Sequence, residues 1–304
     1  MSSLRFSIII ATYDRCDSLR RLLRGIADHF TDSPISHEVV VANNARDDSV
    51  AARIDEIVAE FQLHYGDRFR RSREPLPGKC KAQNGAIRDS TGAILAFFDD
   101  DVEVAPEWLS VADDFFGATR YDVMQGPILV PPAMQNDEAF LRAQHRFRTI
   151  NFVKYSPELD EIKTLTGANM AIRREVFDRI GLFNEQLGPG RSGISEDVEF
   201  AQRVIAAGGR IGYEHRAAVY HEIDWSRFTE EFFRQRHEQQ GRSRLIFKRQ
   251  SILTIVPNLL RSIWGWGWYA LVGNVRKKYR NKGRYFHYRA MLAEKTKRIA
   301  GNQV

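Results

Sequence analysis

The chain has 304 residues, 43% of them hydrophobic and 28% charged, with a net charge of +6, a globular composition long enough for one large domain or two ordinary ones. Two cysteines, Cys16 and Cys80, exclude a disulfide framework and are expected to be reduced thiols of a cytosolic protein. The charge is unevenly divided: residues 226–304 hold 18 Lys and Arg against 4 Asp and Glu, whereas residues 1–225 hold 27 against 35, so an acidic body and a basic tail are expected to have different partners.

The first apolar run, FSIIIATYD, reads as a buried parallel strand. It is too short, and too soon followed by charge, for a secretory signal. RCDSLRRLLRGIADHF follows with Leu19, Leu22, Leu23, Ile26 and Phe30 at helical spacing. HEVVVANNARDD is a second strand and SVAARIDEIVAEF a second helix. After a Pro/Gly turn a helix is expected from about Cys80 to Asp89, and GAILAFFDDD is a third buried strand. Strand and helix thus alternate three times, the pattern of an α/β domain with a parallel sheet. Ligands bind such sheets beyond the carboxyl ends of the strands. Here those ends are Thr12–Asp14, Asn43–Asn44 and Asp99–Asp101, which are expected to converge on one crevice.

Farther on, YDVMQGPILV reads as a strand and DEAFLRAQHRFRTINFVK as a helix. A short strand, a helix and a Gly-rich loop lead to a helix that Ser195 can cap, with Glu196, Asp197 and Glu199 in its first turns. RIGYEHRAAVYHEI holds one or two strands ending at His221. No stretch of about 18 uninterrupted apolar residues occurs, so a membrane-spanning helix is not expected.

Three adjacent carboxylates after the run AILAFF repel one another unless a cation gathers them. Hard cations such as Mg²⁺ or Mn²⁺ prefer oxygen donors and bridge carboxylates to phosphates. If strand geometry continues, Asp99 and Asp101 share a face. No Gly-x-Gly-x-x-Gly follows the first strand, no Walker A motif is present, and no Cys/His spacing suggests structural zinc.

Five blocks, FSIIIATYDR, EVVVANNARDD, GKCKAQNGAIRDSTGAILAFFDDD, TGANMAIRREVFDRIGLFNEQLG and SEDVEFAQRVIAAGGRIGYEHRAAVYH, resemble in order and spacing the family 2 glycosyltransferases, inverting enzymes with the GT-A fold. The resemblance covers roughly residues 5–245. It implies a Rossmann-like, mixed and mostly parallel sheet flanked by helices, in a catalytic domain over 1–225. Residues 1–101 are then the nucleotide-binding half, 102–225 the acceptor-binding half, and 226–304 a helical basic extension.

The resemblance also implies roles. Asp99–Asp101 look like the DxD-type motif, with Asp101, His221 and Asp99 as candidate ligands of Mn²⁺ or Mg²⁺, and Asp99 also facing the ribose. Thr12, Tyr13, Asp14, Asn43, Asn44, Lys79, Asn84, Arg88, Asp99 and Asp100 fall in the nucleotide-sugar-binding region. Asn43 stands where the family often has a carboxylate, and Gln83 where it often has an arginine. Gly167, Ala168 and Asn169 resemble the loop touching donor sugar and acceptor. Asp197 looks like the catalytic base, with Glu196 as the second candidate; GPGRSGISED carries three glycines before it, so a mobile lid is expected there. The implied reaction moves a sugar from a nucleotide-diphosphate donor, UDP-linked by expectation, to a hydroxyl of a glycan or lipid-linked acceptor. The alternative is a catalytically idle relative that serves as an assembly subunit.

In the tail, Trp264, Trp266, Trp268, Tyr269 and Tyr279 lie beside a Lys/Arg cluster. Aromatic and cationic residues together favour a membrane–water interface, so residues 250–298 are read as a contact to an anionic membrane surface. That makes the protein cytoplasmic, peripheral at the inner face of the cell membrane. Packing of these aromatics on the catalytic domain and a homodimer contact remain open alternatives. No nucleic-acid motif is present, and no nucleic-acid partner is expected.

Overall fold

Strand β1 (Phe6–Thr12) is an interior strand of the structure's main sheet, and its residues Phe6 to Ile10 are buried. A run of this kind buries both faces, as parallel strands under two helix layers do. Each such side chain contributes about 1.5–3 kcal/mol on full burial. The computed structural model describes residues 4–301. After β1 come α1 (Cys16–Phe30), β2 (His37–Asn43), α2 (Asp48–Tyr65), β3 (Phe69–Arg73), α3 (Lys79–Asp89) and β4 (Ile94–Asp99). The chain continues through β5 (Val102–Val104), α4 (Trp108–Ala118), β6 (Val123–Gln125), β7 (Ile128–Leu129), α5 (Glu138–Phe147), β8 (Glu161–Ile162), β9 (Asn169–Arg173) and α6 (Arg174–Ile180). It ends with α7 (Glu196–Ala206), β10 (Ile211–Tyr213), β11 (Val219–His221), α8 (Glu230–Phe247), α9 (Ile252–Leu271) and α10 (Val275–Gly301).

The main sheet has the order β3-β2-β1-β4-β9-β6-β10-β8. Strands β3, β2, β1 and β4 are parallel, and β9 runs antiparallel to both β4 and β6. The expected mixed, mostly parallel sheet with flanking helices is therefore what forms. Register brings the strand ends level, because Thr12 lies opposite Asn43 and Ala11 opposite Asp99. A second sheet, β5-β11-β7, pairs His221 with Val102. That single pairing carries the last residue of a strand far along the chain to the residue after Asp101. Strand β3 went unread in the sequence because it is a charged edge strand, FRRSR, with only Phe69 and Ser72 buried.

The chain divides into two units. The first comprises the chain up to Pro131, Phe152–Glu185 and Glu196–Glu222. The second comprises Pro132–Asn151, Gln186–Ser195 and the chain from Ile223. The basic helices α8–α10 are thus joined by α5 and by the Gly-rich loop. The reason is aromatic: Phe147 of α5 clusters with Phe233, Tyr279 and Phe286. The loop is tied down within the same unit, since Ser243 donates to Ser192 Oγ at 2.8 Å and Gly193 abuts the Gln239 side chain. Ser195 has φ 79°, the left-handed region, and not the extended backbone typical of an N-cap.

Helices α8 and α10 approach closely at two glycines. A Cβ on Gly241 would lie 2.3 Å from the His287 carbonyl oxygen, and one on Gly283 2.3 Å from the His237 ring. We expect Gly241→Val to lower stability by about 1–3 kcal/mol, the usual cost of overpacking. Gly117→Ala, where a Cβ meets nothing within 4 Å, should raise it by about 0.5–1 kcal/mol. Urea midpoints of the two variants check this; a neutral Gly241→Val would mean the helices do not meet there.

Candidate active site

The acidic triplet is where β4 stops. Asp99 is the last strand residue and Asp100 and Asp101 form a turn, so strand alternation does not continue. Asp99 and Asp101 consequently face different partners, against the expectation that they share a face. Arg15, three residues beyond β1, reaches Asp101 Oδ2 at 2.5 Å and Asp100 Oδ1 at 3.2 Å. Thr12 donates to the other Asp100 oxygen at 2.8 Å. Burial pushes the Asp100 carboxyl up, Arg15 and Thr12 pull it back, and the outcome is about 6. Burial would lower the Arg15 guanidinium, but Asp101 and Asp100 hold it above its ordinary value.

His221 completes this corner. Its Nε2 lies 3.6 Å from Asp101 Oδ1, and both side chains are 6% exposed. Its Nδ1 is 2.7 Å from the Glu222 carbonyl oxygen. A carbonyl only accepts, so Nδ1 carries the hydrogen, and in the neutral ring Nε2 presents a lone pair. Two acceptors then face each other in a buried place, which suits a cation between them. The Glu222 amide donates to the Asp101 carbonyl at 2.9 Å, fixing the two residues to each other. Among the described residues no three His, Cys, Asp or Glu side chains make a protein-only metal cage. The Asp101 oxygen suits Mn²⁺ or Mg²⁺ that takes its remaining ligands from water and phosphate, and the His221 nitrogen favours the transition metal Mn²⁺ over Mg²⁺.

A second group adjoins the first through Asp99. Lys79 Nζ contacts Asp99 Oδ1 at 2.5 Å and Glu196 Oε1 at 3.6 Å. Burial would lower the Lys79 ammonium, yet Asp99, Glu196 and Asp197 more than offset it and raise it. Lys79 opens α3 directly after Gly78, whose φ of 141° favours glycine. Asn44 anchors that turn by accepting the Gly78 amide at 3.1 Å. Asp197, in the first turn of α7, accepts the Gly167 amide at 3.0 Å and the Val198 amide at 2.7 Å. It is half-buried, whereas Glu196 is buried. Burial raises both carboxyls; the two amides temper Asp197, and Lys79 tempers Glu196.

Several expected ligand contacts are committed elsewhere. Asn43 donates to the Ala51 carbonyl and to Asp55, each at 2.9 Å, and accepts the Ala45 amide. Asn44 donates to the Glu74 and Leu76 carbonyls. Asn84 exchanges both bonds with the Phe183 backbone. Asn169 accepts from Trp108 Nε1 and donates to the Pro127 and Ala217 carbonyls. These amides hold loops in place. Arg88 lies nine residues beyond Lys79 on α3, about 13 Å along the helix, and is exposed there. Thr12 is buried, Tyr13 and Asp14 are exposed at the mouth of β1, and Ala168 is buried beside Gly167.

Residues 7–181 match the family Glycosyl transferase family 2. The chain belongs to that family. It is a family 2 glycosyltransferase, and its relatives include Glycosyltransferase AglE of Haloferax volcanii, 24% identical over 69% of this chain and 64% of the relative's length. Over AglE the match therefore spans less than two thirds of the relative. Succinoglycan biosynthesis protein ExoM of Rhizobium meliloti is 26% identical over 79% of this chain and 74% of its own. The fold is GT-A: the mannosyltransferase PcManGT of Pyrobaculum calidifontis, solved with GDP-Man and Mn²⁺, superposes with a TM-score of 0.61 at 16% identity, over 98% of this chain and 88% of that one.

For this family 2 chain, sequence reading passed over Arg15 and the part of Glu222 that fixes His221. Arg15 carried a signal, as the one cation directly after the polar end of β1. The Asn169 network yields a test of structural against ligand-binding duty. Asn169→Leu leaves the Trp108 N–H and the Ala217 carbonyl unsatisfied, each worth about 1–3 kcal/mol, while the Pro127 carbonyl keeps the Val219 amide. It should therefore lose several kcal/mol of stability with no sugar nucleotide present. Wild-type denaturation of this variant would make Asn169 a ligand contact instead.

Proposed function

We propose that this chain transfers a sugar from a nucleoside diphosphate to a hydroxyl acceptor with inversion, Asp197 being the general base. The observation that carries the reading is the geometry of Asp197. Two backbone amides orient its carboxylate, and burial keeps it readier to take a proton than an ordinary aspartate. It lies in the group that Lys79 joins to Asp99, and so to the turn where the diphosphate is assigned.

In this reading the acceptor hydroxyl gives its proton to Asp197 as its oxygen bonds to the anomeric carbon. The bond from that carbon to the diphosphate oxygen breaks, and the electron pair leaves with the nucleoside diphosphate. Attack and departure take place on opposite faces of the sugar, which is inversion. Asp101 and His221 would hold Mn²⁺ or Mg²⁺, which when bound offsets charge on the leaving diphosphate. Lys79, held between Asp99 and Glu196, supplies a fixed positive charge on the same side. Asp101 and Asp100 hold Arg15, with Thr12 fixing Asp100, and Asn43 and Asn44 shape the nucleotide pocket through the loops they bind.

The acceptor side is assigned to a glycan or lipid-linked substrate, and the chain to the surface of an anionic membrane. Support comes from α9. Leu253, Leu260, Trp264, Trp268 and Leu271 are exposed and, at intervals of 7, 11, 15 and 18 residues, share one stripe of the helix. Among the described residues no helix is long and apolar enough to cross a membrane, so this stripe is read as lying on the interface.

Asp197→Asn should reduce kcat by about 10²–10⁴-fold with little change in donor affinity measured by calorimetry. In the wild type, kcat/KM should rise with pH through a step lying above the ordinary carboxylate range of about 4, because protonated Asp197 accepts nothing. The step should vanish from the residual rate of the variant. Equal turnover in the two proteins would remove Asp197 from the base role. Absence of both turnover and sugar-nucleotide binding in the wild type would favour the idle assembly subunit.

A further inference from the structure

The second unit contains an open groove of about 1010 Å³ running along the joined faces of α8 and α10. Its lining is strongly cationic. Arg148, Arg244, Arg276, Arg280 and Arg284 all face it, and no Asp or Glu does. Among the described residues none of these five guanidiniums makes an ion pair. The acidic residues nearest in sequence are engaged with other cations: Glu230 pairs with Arg146 and Lys282, and Glu238 with Arg234, Arg242 and Arg289. Five like charges on one concave wall repel one another, and a groove that concentrates them attracts anions.

A neutral imidazole sits at the same wall. His287 lines the groove, and burial, Arg244 and His237 hold its ring down to about 4, so at neutral pH it adds no charge to the five guanidiniums. Arg148 follows α5 with φ 51°. Guanidiniums are donors suited to phosphate oxygens.

The lining reaches both ends of α9: it includes Thr254, next in sequence to exposed Leu253, and Asn274, shortly after exposed Leu271 and Val272. We propose that the groove binds the phosphate headgroup of an amphiphile, with hydrocarbon against the exposed stripe of α9. This rests on the membrane-surface reading above and deepens it, by naming a terminal phosphate and the arginines that hold it.

The test uses the full chain and vesicle flotation. Vesicles are phosphatidylcholine alone, or phosphatidylcholine with phosphatidic acid or phosphatidylglycerol matched in surface charge. Wild type should prefer phosphatidic acid, whose phosphate is a monoester. Arg280→Gln/Arg284→Gln should weaken that binding about ten- to thirty-fold, at about 1 kcal/mol for each basic residue, and abolish the preference over phosphatidylglycerol. Trp264→Ser/Trp268→Ser should weaken binding to all three vesicle types. Circular dichroism confirms folding of each variant.

Retained preference in the arginine variant, alongside loss in the tryptophan variant, overturns the groove but leaves the membrane reading intact. No binding of wild type to any vesicle overturns both. Inorganic pyrophosphate binding that depends on Arg280 and Arg284, with no preference among vesicles, would assign the groove to a soluble phosphate and overturn the lipid. Displacement by a single-stranded oligonucleotide in preference to phosphatidic acid would overturn it likewise.

Discussion

Five carboxylates and two cations share the carboxyl end of one sheet in this protein. Asp99, Asp100, Asp101, Glu196 and Asp197 are set against Arg15 and Lys79. Two like charges 4 Å apart cost about 4 kcal/mol near a protein surface, so an acidic excess of this size is a standing strain on the fold. Burial raises the Asp100 and Glu196 carboxyls, and Arg15 and Lys79 pull them back. The acidic excess favours a bound cation. That is the physical ground for the proposal that a diphosphate and its metal sit there.

The sheet makes the cluster, and elements distant in sequence complete it. Register levels the ends of β1, β2 and β4. The pairing of β11 with β5 then sets His221 against Asp101, and the Gly167 amide receives Asp197. Each carboxylate meets a different environment. Asp101 faces a cationic corner, Asp99 an ammonium, and Asp197 a pair of backbone amides. Different surroundings are what allow chemically similar groups to take different parts in one reaction.

Much of this was legible in the sequence. Continuous apolar runs ending in polar residues marked β1, β2 and β4, because strands buried on both faces have no alternation to hide them. The acidic triplet and the start of α7 stood out for the same reason: charge directly beside a buried run needs a cause. What stayed hidden depends on pairing over distance. Nothing local says that Asn84 and Asn169 spend their amides on backbone groups up to 99 residues away. Nor does FRRSR look like a strand, since an edge strand packs only one face. The turn at Asp100 also escaped notice, because alternation predicts faces only while the strand lasts. The tail read correctly as helical and basic, but the joining of α5 to it follows from the aromatic ring cluster around Phe147.

We propose that the corner formed by Asp101 and His221 receives a divalent cation together with a nucleoside diphosphate. Mn²⁺ titrated into the protein with a nucleoside diphosphate and followed by electron paramagnetic resonance should give a bound signal that needs the nucleotide and is lost in Asp101→Asn and in His221→Ala. An unchanged signal in both variants would remove the cation from that corner.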